Sequence, residues 1–272
     1  MTMENILETI VAHKKREVEE KRSLYPVKLL EKSIYFNAQP VSLEKYILRE
    51  DLNGVIAEFK RRSPSKGIIN AYAKPEKVTL AYMQAGASAL SVLTDENFFG
   101  GKNGDLEMAR KVNYCPLLRK DFIIDEYQVI EARSIGADAI LLIAAILSKD
   151  EIEKLSSLAF SLGMEVLLEL HGENEIEKIG AQIKLVGVNN RDLKTFDVNL
   201  ERSMKMASIL SGNKTLVAES GISEPETIIQ LREAGFSGFL IGENFMKTSD
   251  PGKACTAFIT KLKSFNVQTQ KA

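Results

Sequence analysis

Charged side chains recur at the ends of short apolar stretches in this sequence. Glu58 and Lys60 end one such stretch, and Glu169 lies near the end of another. A carboxylate and an ammonium group that share a site shift each other's pKa, and together they can act as general acid and general base. These positions therefore predict an acid–base site, provided that the stretches end close together in the fold.

Alternation along each stretch predicts which charges point the same way. Successive side chains of a β-strand point to opposite faces, so Ile56, Glu58 and Lys60 share one face. Lys120 is in phase with the apolar Leu118. The charges that we expect to meet are the cations of Lys60, Lys120 and Arg191 and the carboxylates of Glu58, Glu169 and Glu219. Because unpaired buried charge is very costly, this balance favours a polar site over solvated loop ends.

Apolar stretches alternate with helix-compatible segments after residue 50. The stretches cover residues 55–59, 89–93, 115–118, 139–144, 166–170, 185–188, 215–218 and 239–241. The helix-compatible segments cover residues 75–85, 104–112, 125–135, 148–162, 173–180, 199–210, 224–234 and 250–263. Eight strand–helix units predict an α/β fold, the (β/α)8 TIM barrel, whose typical size is about 250 residues. An open doubly wound sheet is the alternative, but it usually has fewer strands, and its Gly-x-Gly-x-x-Gly fingerprint is absent here.

We expect one domain over residues 1–272, with an N-terminal helical extension over 1–50 and the barrel over 51–263. In the extension, Ile6 and Ile10 fall near helical spacing, and charges of both signs surround them. Mixed runs of charge usually lie on solvated helix faces. The extension is therefore interpreted as an amphipathic packing segment rather than as part of a functional site.

Gly221 and Gly242 follow the last two apolar stretches. Phosphate sites in TIM barrels often form after the seventh and eighth strands, where backbone N–H groups approach the anion. The loop 61–67 after the first stretch is basic, which favours a lid that grips an anionic substrate. Because a carboxylate repels phosphate, the Glu243 side chain is expected to point away from the phosphate site. His171, which follows a predicted strand, is expected to be a loop residue without a role in the site.

Composition argues against several other classes of protein. Lys and Arg number 36 against 37 Asp and Glu, which is not the basic balance of a general nucleic-acid binder. The two cysteines and two histidines lie at no metal-ligand spacing, so no metal site is expected. The longest apolar run, 139–147, is far shorter than the about 20 residues of a membrane helix, and no signal peptide is recognisable. We therefore expect a cytoplasmic protein.

Several motifs, taken together, resemble one known family. They are residues 56–65 (IAEFKRRSPS), 91–95 (SVLTD), 98–101 (FFGG), 118–122 (LRKDF), 168–169 (LE), 187–193 (GVNNRDL) and 218–222 (AESGI). On these motifs the chain resembles the indole-3-glycerol phosphate synthases, TIM-barrel carboxy-lyases of tryptophan biosynthesis. The likeness spans nearly the whole chain, including the helical extension that this family carries before its first strand.

The resemblance implies a reaction and its partners. The reaction is ring closure of 1-(2-carboxyphenylamino)-1-deoxyribulose 5-phosphate, with loss of CO₂ and water, to give indole-3-glycerol phosphate. No metal or organic cofactor is implied. The expected partner is the phosphorylated small-molecule substrate, with no nucleic acid and no membrane, and the expected state is a monomer or weak homodimer.

The resemblance also implies roles for catalytic residues. Lys120 is the general acid that protonates the substrate carbonyl, and Glu169 acts in the later dehydration. Glu58 and Lys60 are the remaining pair that handles protons and binds the carboxylate. Asn189 orients the hydroxyl and carboxylate groups of the substrate.

Further residues are implied to bind the substrate. They are Ser63, Ser220, Gly221, Gly242 and Glu243 for the phosphate, and Phe99 and Phe122 for the anthranilate ring. Arg191 orients the hydroxyl and carboxylate groups together with Asn189, and Glu219 is a further substrate-binding residue. The sequence departs from the family pattern in two places. Lys102 and Asn103 stand where relatives more usually have a serine, and Glu243 stands where some relatives have a serine.

The residues alone leave two other functions open. A phosphoribosyl isomerase barrel often uses Cys or Asp at its first strand, where this sequence has Glu58 and Lys60. A metabolite-binding barrel without catalysis would not need these two residues to converge with Lys120 and Glu169. Turnover of the carboxyphenylamino substrate would distinguish a synthase from both.

Overall fold

The strands of the chain pair in a closed ring. The computed structural model describes residues 3–191, 197–210 and 212–269, and within these ranges eight parallel strands form a barrel. The strands are β1 Val55–Phe59, β2 Ala89–Leu93, β3 Leu117–Lys120, β4 Ala139–Ile143, β5 Glu165–Leu170, β6 Leu185–Asn189, β7 Thr215–Glu219 and β8 Phe236–Ile241. Each strand pairs with its neighbours in the sequence, and β1 closes the ring on β8 with Ile56 beside Leu240. The predicted TIM barrel is confirmed.

Helices alternate with the strands. The described helices are α1 Met3–Leu24, α2 Val27–Leu30, α3 Leu43–Ile47, α4 Pro75–Gln84, α5 Asn103–Val112, α6 Glu126–Ser134, α7 Lys149–Ser161, α8 Leu200–Leu210, α9 Pro225–Glu233, α10 Glu243–Met246 and α11 Pro251–Thr269. After β1, Arg62–Ser63 pairs antiparallel with Gly67–Ile68 as a small hairpin. Across the described ranges, no helix combines the length and apolar character needed to cross a membrane.

One segment that was expected to be an α-helix is wound more tightly. The sequence predicts an α-helix over residues 173–180, whereas the structure has a 3₁₀ helix at Glu173–Lys178. Backbone hydrogen bonds at both ends of this segment span three residues, from Glu175 N–H to the Gly172 carbonyl and from Ile179 N–H to the Ile176 carbonyl, which is the 3₁₀ pattern. At its start, the Glu175 carboxylate accepts the backbone N–H of His171 at 2.6 Å, so this side chain turns back towards the strand end.

Strands β3, β6 and β7 run further towards their carboxyl ends than the apolar pattern predicts. Their additional residues are polar, with Lys120 ending β3, Asn189 ending β6 and Glu219 ending β7. The sequence predicts that each strand ends at its last apolar residue, because a polar residue at the end of a strand is usually exposed to solvent. Here the polar ends are buried or half-buried. At the other end of β3, Pro116 has no backbone N–H to donate, so the strand begins after it.

Strand side chains alternate between two packing clusters. Val55 and Phe59 point outward and pack with helix residues such as Leu106. Ile56 points inward and packs with Leu167 inside the barrel. This is the period-two pattern of a strand, and it agrees with the faces assigned from the sequence. The inward side chains therefore form an apolar floor beneath the polar strand ends.

The chain before β1 packs against both ends of the barrel. At the amino ends of the strands, α3 places Leu43 and Ile47 against the barrel interior, and Ser42 donates to the Glu165 carboxylate at the start of β5. At the carboxyl ends, α1 places Ile10 in the same interior cluster. Lys14 on α1 is fully buried. The expectation that the charges of this segment are solvated is therefore wrong for Lys14, because carboxylates of the barrel surround it.

The interior cluster gives a first testable prediction. Leu167→Ala leaves a cavity among fully buried inward side chains, and such substitutions cost about 2–5 kcal/mol. We expect a clear drop in the denaturation midpoint, measured by urea titration with circular dichroism. Leu24→Ala is the matched control, because Leu24 is 69% exposed at the end of α1. Equal midpoints for the two variants would contradict the assignment of Leu167 to the interior.

Candidate active site

A cavity of about 560 Å³ opens at the carboxyl ends of the strands. Strand ends and the loops that follow them supply its walls, and helix α1 adds Ile6, Leu7 and Ile10 on one side. Active sites of TIM barrels lie at this end of the fold. The cavity holds polar groups in its centre, backbone segments at one end and aromatic rings at the other.

Lys120 lies at the centre of the cavity, surrounded by carboxylates. Its Nζ lies 2.5 Å from Glu219 Oε2, 3.5 Å from Glu169 Oε2 and 3.9 Å from Glu58 Oε2. The three carboxylates come from β7, β5 and β1, so the closed barrel brings together residues that are far apart in the sequence. Burial alone would lower the pKa of Lys120, but these carboxylates outweigh it and raise the pKa, so the amine is a charged ammonium group.

The carboxylates of Glu169 and Glu219 differ in protonation. Burial, followed by the nearby charge of Glu169, raises the pKa of Glu219 against the opposing effect of Lys120. Burial acts in the same direction on Glu169, but Lys120 and a hydrogen bond with His171 outweigh it and lower the pKa of Glu169. Two adjacent buried carboxyls cannot easily ionise together. The opposite shifts therefore favour the charge on Glu169 and the proton on Glu219.

Small residues make room for these carboxylates. A Cβ added to Gly187 would lie 2.2 Å from Glu219 Oε1, and one added to Gly242 would lie 2.3 Å from Glu58 Oε1. Both glycines therefore permit a close approach that no other residue allows. Glu58 is in turn bound to Lys60, with 2.6 Å between its Oε1 and the lysine Nζ.

His171 lines the cavity beside Glu169, contrary to the expectation of a loop role. Its Nε2 lies 3.1 Å from Glu169 Oε1. Burial would lower its pKa, but hydrogen bonding and charge from Glu169 raise it. The sequence shows His171 only as a residue after a strand, and nothing in it reveals that the side chain turns back into the mouth. Glu175 fixes this turn by accepting the His171 backbone N–H.

Backbone segments from the loops after β7 and β8 form one end of the cavity. Ser220 and Gly221 both have positive φ angles, 66° and 78°. Positive φ is uncommon for a residue with a side chain and is often found at ligand sites. Gly242 lines the same end, followed by Glu243 at the start of α10. These are the positions where the sequence predicts phosphate binding.

The Glu243 side chain lies at this end of the cavity, where it faces two cations. Its carboxylate lies 3.7 Å from Arg191 and 3.9 Å from Lys66, and all of these residues line the cavity. The expectation that it points away is therefore wrong, because cations from the loops after β6 and β1 attract it to the rim. In this position the carboxylate competes with any other anion for the same cations.

Aromatic rings and aliphatic side chains form the opposite end. Phe99 and Phe122 lie with ring centroids 5.8 Å apart at an interplanar angle of 40°. Ile10 from α1 belongs to the same interior cluster as Phe122, and Phe99 packs against that cluster. The two rings contact each other, so together they form one wall of an apolar slot, and a flat ring can lie against this wall. The sequence does not predict that α1 contributes to this slot, because periodicity identifies a buried helix face but not the segment that the face packs against.

The structure brings most of the predicted site residues together around the cavity. Those that line it are Glu58, Lys60, Ser63, Phe99, Lys120, Phe122, Glu169, Asn189, Arg191, Ser220, Gly221, Gly242 and Glu243. Glu219 differs, because it lies fully buried behind Lys120 and outside the lining. Residues 192 and 193 of the Asn-x-Arg-Asp-Leu motif lie outside the described residues.

The basic loop after β1 is only partly available to an anion. Lys66 lines the cavity, but Arg61 makes a two-pronged ion pair with Asp105, at 2.5 and 3.0 Å. Arg62 donates to the carbonyl of Phe98 at 3.2 Å. The expected anion-gripping lid therefore uses its arginines to anchor the loop to the segment after β2. In the described ranges, no group of three or more His, Cys, Asp or Glu side chains is arranged to hold a metal ion.

Comparison with known proteins agrees with this geometry. The family model described as indole-3-glycerol phosphate synthase matches residues 7–258. The chain belongs to this family. The indole-3-glycerol phosphate synthase of Bacteroides thetaiotaomicron is 48% identical over 261 residues, which cover 96% of this chain and 100% of that protein. Proteins of the same name from Carboxydothermus hydrogenoformans and Acinetobacter baylyi are 42% and 44% identical, over 91% and 92% of this chain and 97% and 94% of theirs. The family resemblance inferred from the motifs is confirmed.

Solved structures with a similar fold include tryptophan synthase chains. The alpha subunit from Legionella pneumophila superposes with a TM-score of 0.60 at 13% identity, covering 82% of this chain and 97% of that one. A chain of the tryptophan synthase complex from Pyrococcus furiosus gives 0.57 at 12% identity, covering 79% and 99%. At these identities the similarity concerns the barrel fold alone.

The raised pKa of Glu219 predicts a pH dependence of stability. The folded chain keeps a proton on Glu219 at pH values where the unfolded chain has released it. The stabilisation from this group is therefore full below the unfolded pKa and is lost as the pH rises towards the folded pKa, about 8. We expect the thermal midpoint of the wild type to fall, relative to Glu219→Gln, as the pH rises from about 5 to about 8.

Scanning calorimetry at several pH values measures this difference. Glu233→Gln on the exposed end of α9 is the control, and its profile is expected to parallel the wild type. A Glu219→Gln profile that also runs parallel to the wild type would show that Glu219 is ionised in the folded state across this range. The lowered pKa of Glu169 changes the stability only at pH values below the ordinary carboxyl range, outside the range of this experiment.

Proposed function

We propose that this chain catalyses the reaction that names its family. The substrate is 1-(2-carboxyphenylamino)-1-deoxyribulose 5-phosphate, and the products are indole-3-glycerol phosphate, CO₂ and water. The observation that carries the proposal is the ammonium group of Lys120, held by buried acidic side chains in the same cavity as the aromatic slot and the glycine-containing backbone segments. A proton donor in that position meets the carbonyl of a substrate that has a benzene ring at one end and a phosphate at the other.

The two ends of the cavity hold the substrate bent. Phe99 and Phe122 take the anthranilate ring, while Ser63, Ser220, Gly221 and Gly242 take the phosphate. Asn189 and Arg191 orient the hydroxyl and carboxylate groups between them. Fixing both ends brings the ring carbon near the ketose carbonyl, and such positioning can supply about 7–11 kcal/mol of the barrier in favourable cases.

Ring closure uses the charge of Lys120. The ring carbon that carries the carboxylate attacks the carbonyl carbon, and the carbonyl oxygen gains negative charge. The ammonium group stabilises this charge and then donates a proton, leaving a hydroxyl group. Lys60, bound to Glu58, lies close enough to the same site to bind the substrate carboxylate until it leaves as CO₂. Loss of CO₂ restores the aromatic benzene ring.

Dehydration uses the carboxyl pair. The hydroxyl leaves as water after receiving a second proton from Lys120, which is recharged by protonated Glu219 at 2.5 Å. Glu169 accepts the proton released from the neighbouring carbon, as its lowered pKa keeps it ionised. The cycle takes up two protons at oxygen and releases one from carbon, so one proton comes from solvent in each turnover. Glu219 is thus a positioning and proton-supplying residue rather than one that binds substrate.

Removal of the Lys120 charge tests the proposal. General acid catalysis by one group is worth typically about 10²- to 10⁴-fold, so we expect Lys120→Met to lose at least this much of kcat. Indole fluorescence measures product formation from the carboxyphenylamino substrate. Inorganic phosphate is expected to bind the variant normally, because the backbone segments that bind it are unchanged. Retention of near-native kcat would exclude Lys120 as the general acid.

Two controls accompany this variant. Lys111→Met removes an exposed lysine in the last turn of α5 and is expected to keep the wild-type rate. Circular dichroism establishes that Lys120→Met is folded. Absence of turnover by the wild-type chain itself would overturn the proposed function.

The position of Glu243 predicts a gain in affinity upon its neutralisation. Glu243→Gln removes the carboxylate that pairs with Arg191 and Lys66, and exposed ion pairs of this kind are worth about 0.2–1 kcal/mol. We therefore expect KM for the phosphorylated substrate, and the inhibition constant of inorganic phosphate, to fall by about 1.5- to 5-fold with kcat unchanged. Glu233→Gln serves as control. A rise in KM would show that Glu243 instead holds Arg191 in its binding position.

A further inference from the structure

Lys14 of helix α1 is a buried cation that the proposed chemistry does not use. Its side chain is fully buried. Its Nζ lies 2.9 Å from Asp121 Oδ1, 3.0 Å from Asp95 Oδ2 and 2.9 Å from Glu17 Oε2. Asp95 follows β2 and Asp121 follows β3, so one ammonium group joins the N-terminal helix to two loops of the active-site mouth.

Asp95 organises the loop that carries one wall of the aromatic slot. Its Oδ1 accepts the backbone N–H of Phe98 at 2.7 Å and that of Phe99 at 3.1 Å. Its other oxygen faces Lys14. The orientation of this carboxylate therefore fixes the start of the turn from which Phe99 reaches the cavity.

Asp121 does the same for Phe122, the second ring of this wall. Its Oδ1 contacts Lys14 and also accepts the backbone N–H of Phe122 at 2.8 Å. Its Oδ2 accepts from Thr94 Oγ1 at 2.6 Å and from Arg119 at 3.2 Å. Lys14 is thus bound to the two carboxylates that hold the backbone of the two slot phenylalanines, and Asp121 directly follows Lys120 in the chain.

The surroundings keep Lys14 charged. Burial would lower its pKa, but Asp121, Asp95 and Glu17 outweigh it and raise the pKa. Asp121 has a lowered pKa because Lys14 and Arg119 outweigh the effect of burial. Removing the ammonium group would leave Asp95 and Asp121 facing each other in a dry environment, with Arg119 as a cation for Asp121 but not for Asp95. Breaking one partner of a buried charge cluster is far more costly than losing an exposed pair.

We propose that Lys14 is a positioning residue for the half of the active site that binds the aromatic ring. This inference rests on the proposed function for the identity of that ring. Lys14 sets the separation of the loops after β2 and β3, and so the position of the contacting Phe99 and Phe122 rings in the slot. The backbone segments after β7 and β8, which bind phosphate, have no contact with this cluster among the described interactions.

The experiment measures the two halves of the site separately. Anthranilate is the probe for the aromatic end and inorganic phosphate is the probe for the other end, with binding to the full chain measured by calorimetry. We expect Lys14→Met to weaken anthranilate binding and to raise KM for the full substrate by at least about tenfold. Phosphate affinity is expected to stay within about twofold of the wild type. KM should change more than kcat, because Lys120 keeps its own carboxylates.

Matched variants separate positioning from general stability. Lys15→Met alters the neighbouring exposed lysine and is expected to behave as wild type. Lys14→Arg keeps the charge and is expected to recover part of the anthranilate affinity. If Lys14→Met does not fold, Asp95→Asn tests the same contact, because it replaces the carboxylate that contacts the Lys14 ammonium with a neutral amide. We expect this variant to lose anthranilate affinity as well, with phosphate affinity unchanged.

The results distinguish the possible explanations. Anthranilate affinity and KM equal to those of Lys15→Met would overturn the inference, as would an equal weakening of both probes, which indicates a purely structural role. Failure of the wild type to bind anthranilate would also overturn it. Failure of the wild type to turn over the substrate, with selective anthranilate loss in Lys14→Met, would overturn the proposed reaction while the positioning role stands.

Discussion

The mouth of this barrel depends on the balance of buried charge. Lys120 is held in place because acidic side chains from β1, β5 and β7 converge on its ammonium group. These acidic side chains are buried, so a charge on any of them would be costly without a partner. The cluster is stable only as a set, so its members fix each other's positions. The raised pKa of Glu219 follows from the same constraint, since two buried carboxyls beside one another do not easily ionise together. The position of Lys120 and the opposite pKa shifts of Glu169 and Glu219 therefore arise from one arrangement.

Much of the fold follows from the sequence because its signals are local. Alternation within β1 and β5 identifies inward side chains, and the repeating strand–helix pattern identifies a barrel. A closed barrel then requires the strand ends to meet, so Glu58, Lys120 and Glu169 are predicted together without knowledge of any distance. The predicted strands end too early, as before Asn189. A polar residue suggests exposure to solvent when only the local sequence is considered, whereas the tertiary structure partly buries it beside other polar groups.

The rest could not be predicted because it depends on contacts between distant segments. Periodicity shows that α1 has an apolar face, but not that this face closes the slot beside Phe122. A run of mixed charge usually lies in water, and nothing local distinguishes Lys14 from Lys15. The same limit applies to His171, whose direction is set by a hydrogen bond to Glu175. Orientation of Glu243 towards Arg191 likewise requires the loops after β6 and β8 to be neighbours.

The end of β3 joins the two charge clusters. Lys120 and Asp121 are consecutive residues with different partners, because Lys120 contacts the acidic side chains of β1, β5 and β7 whereas Asp121 contacts Lys14 of α1. A shift of one residue at this strand end would break both sets of contacts, because it would place Asp121 or Arg119 at the position of Lys120. Each cluster therefore opposes such a slip in the other. The N-terminal helix therefore helps to keep Lys120 in register, although this helix is not part of the barrel.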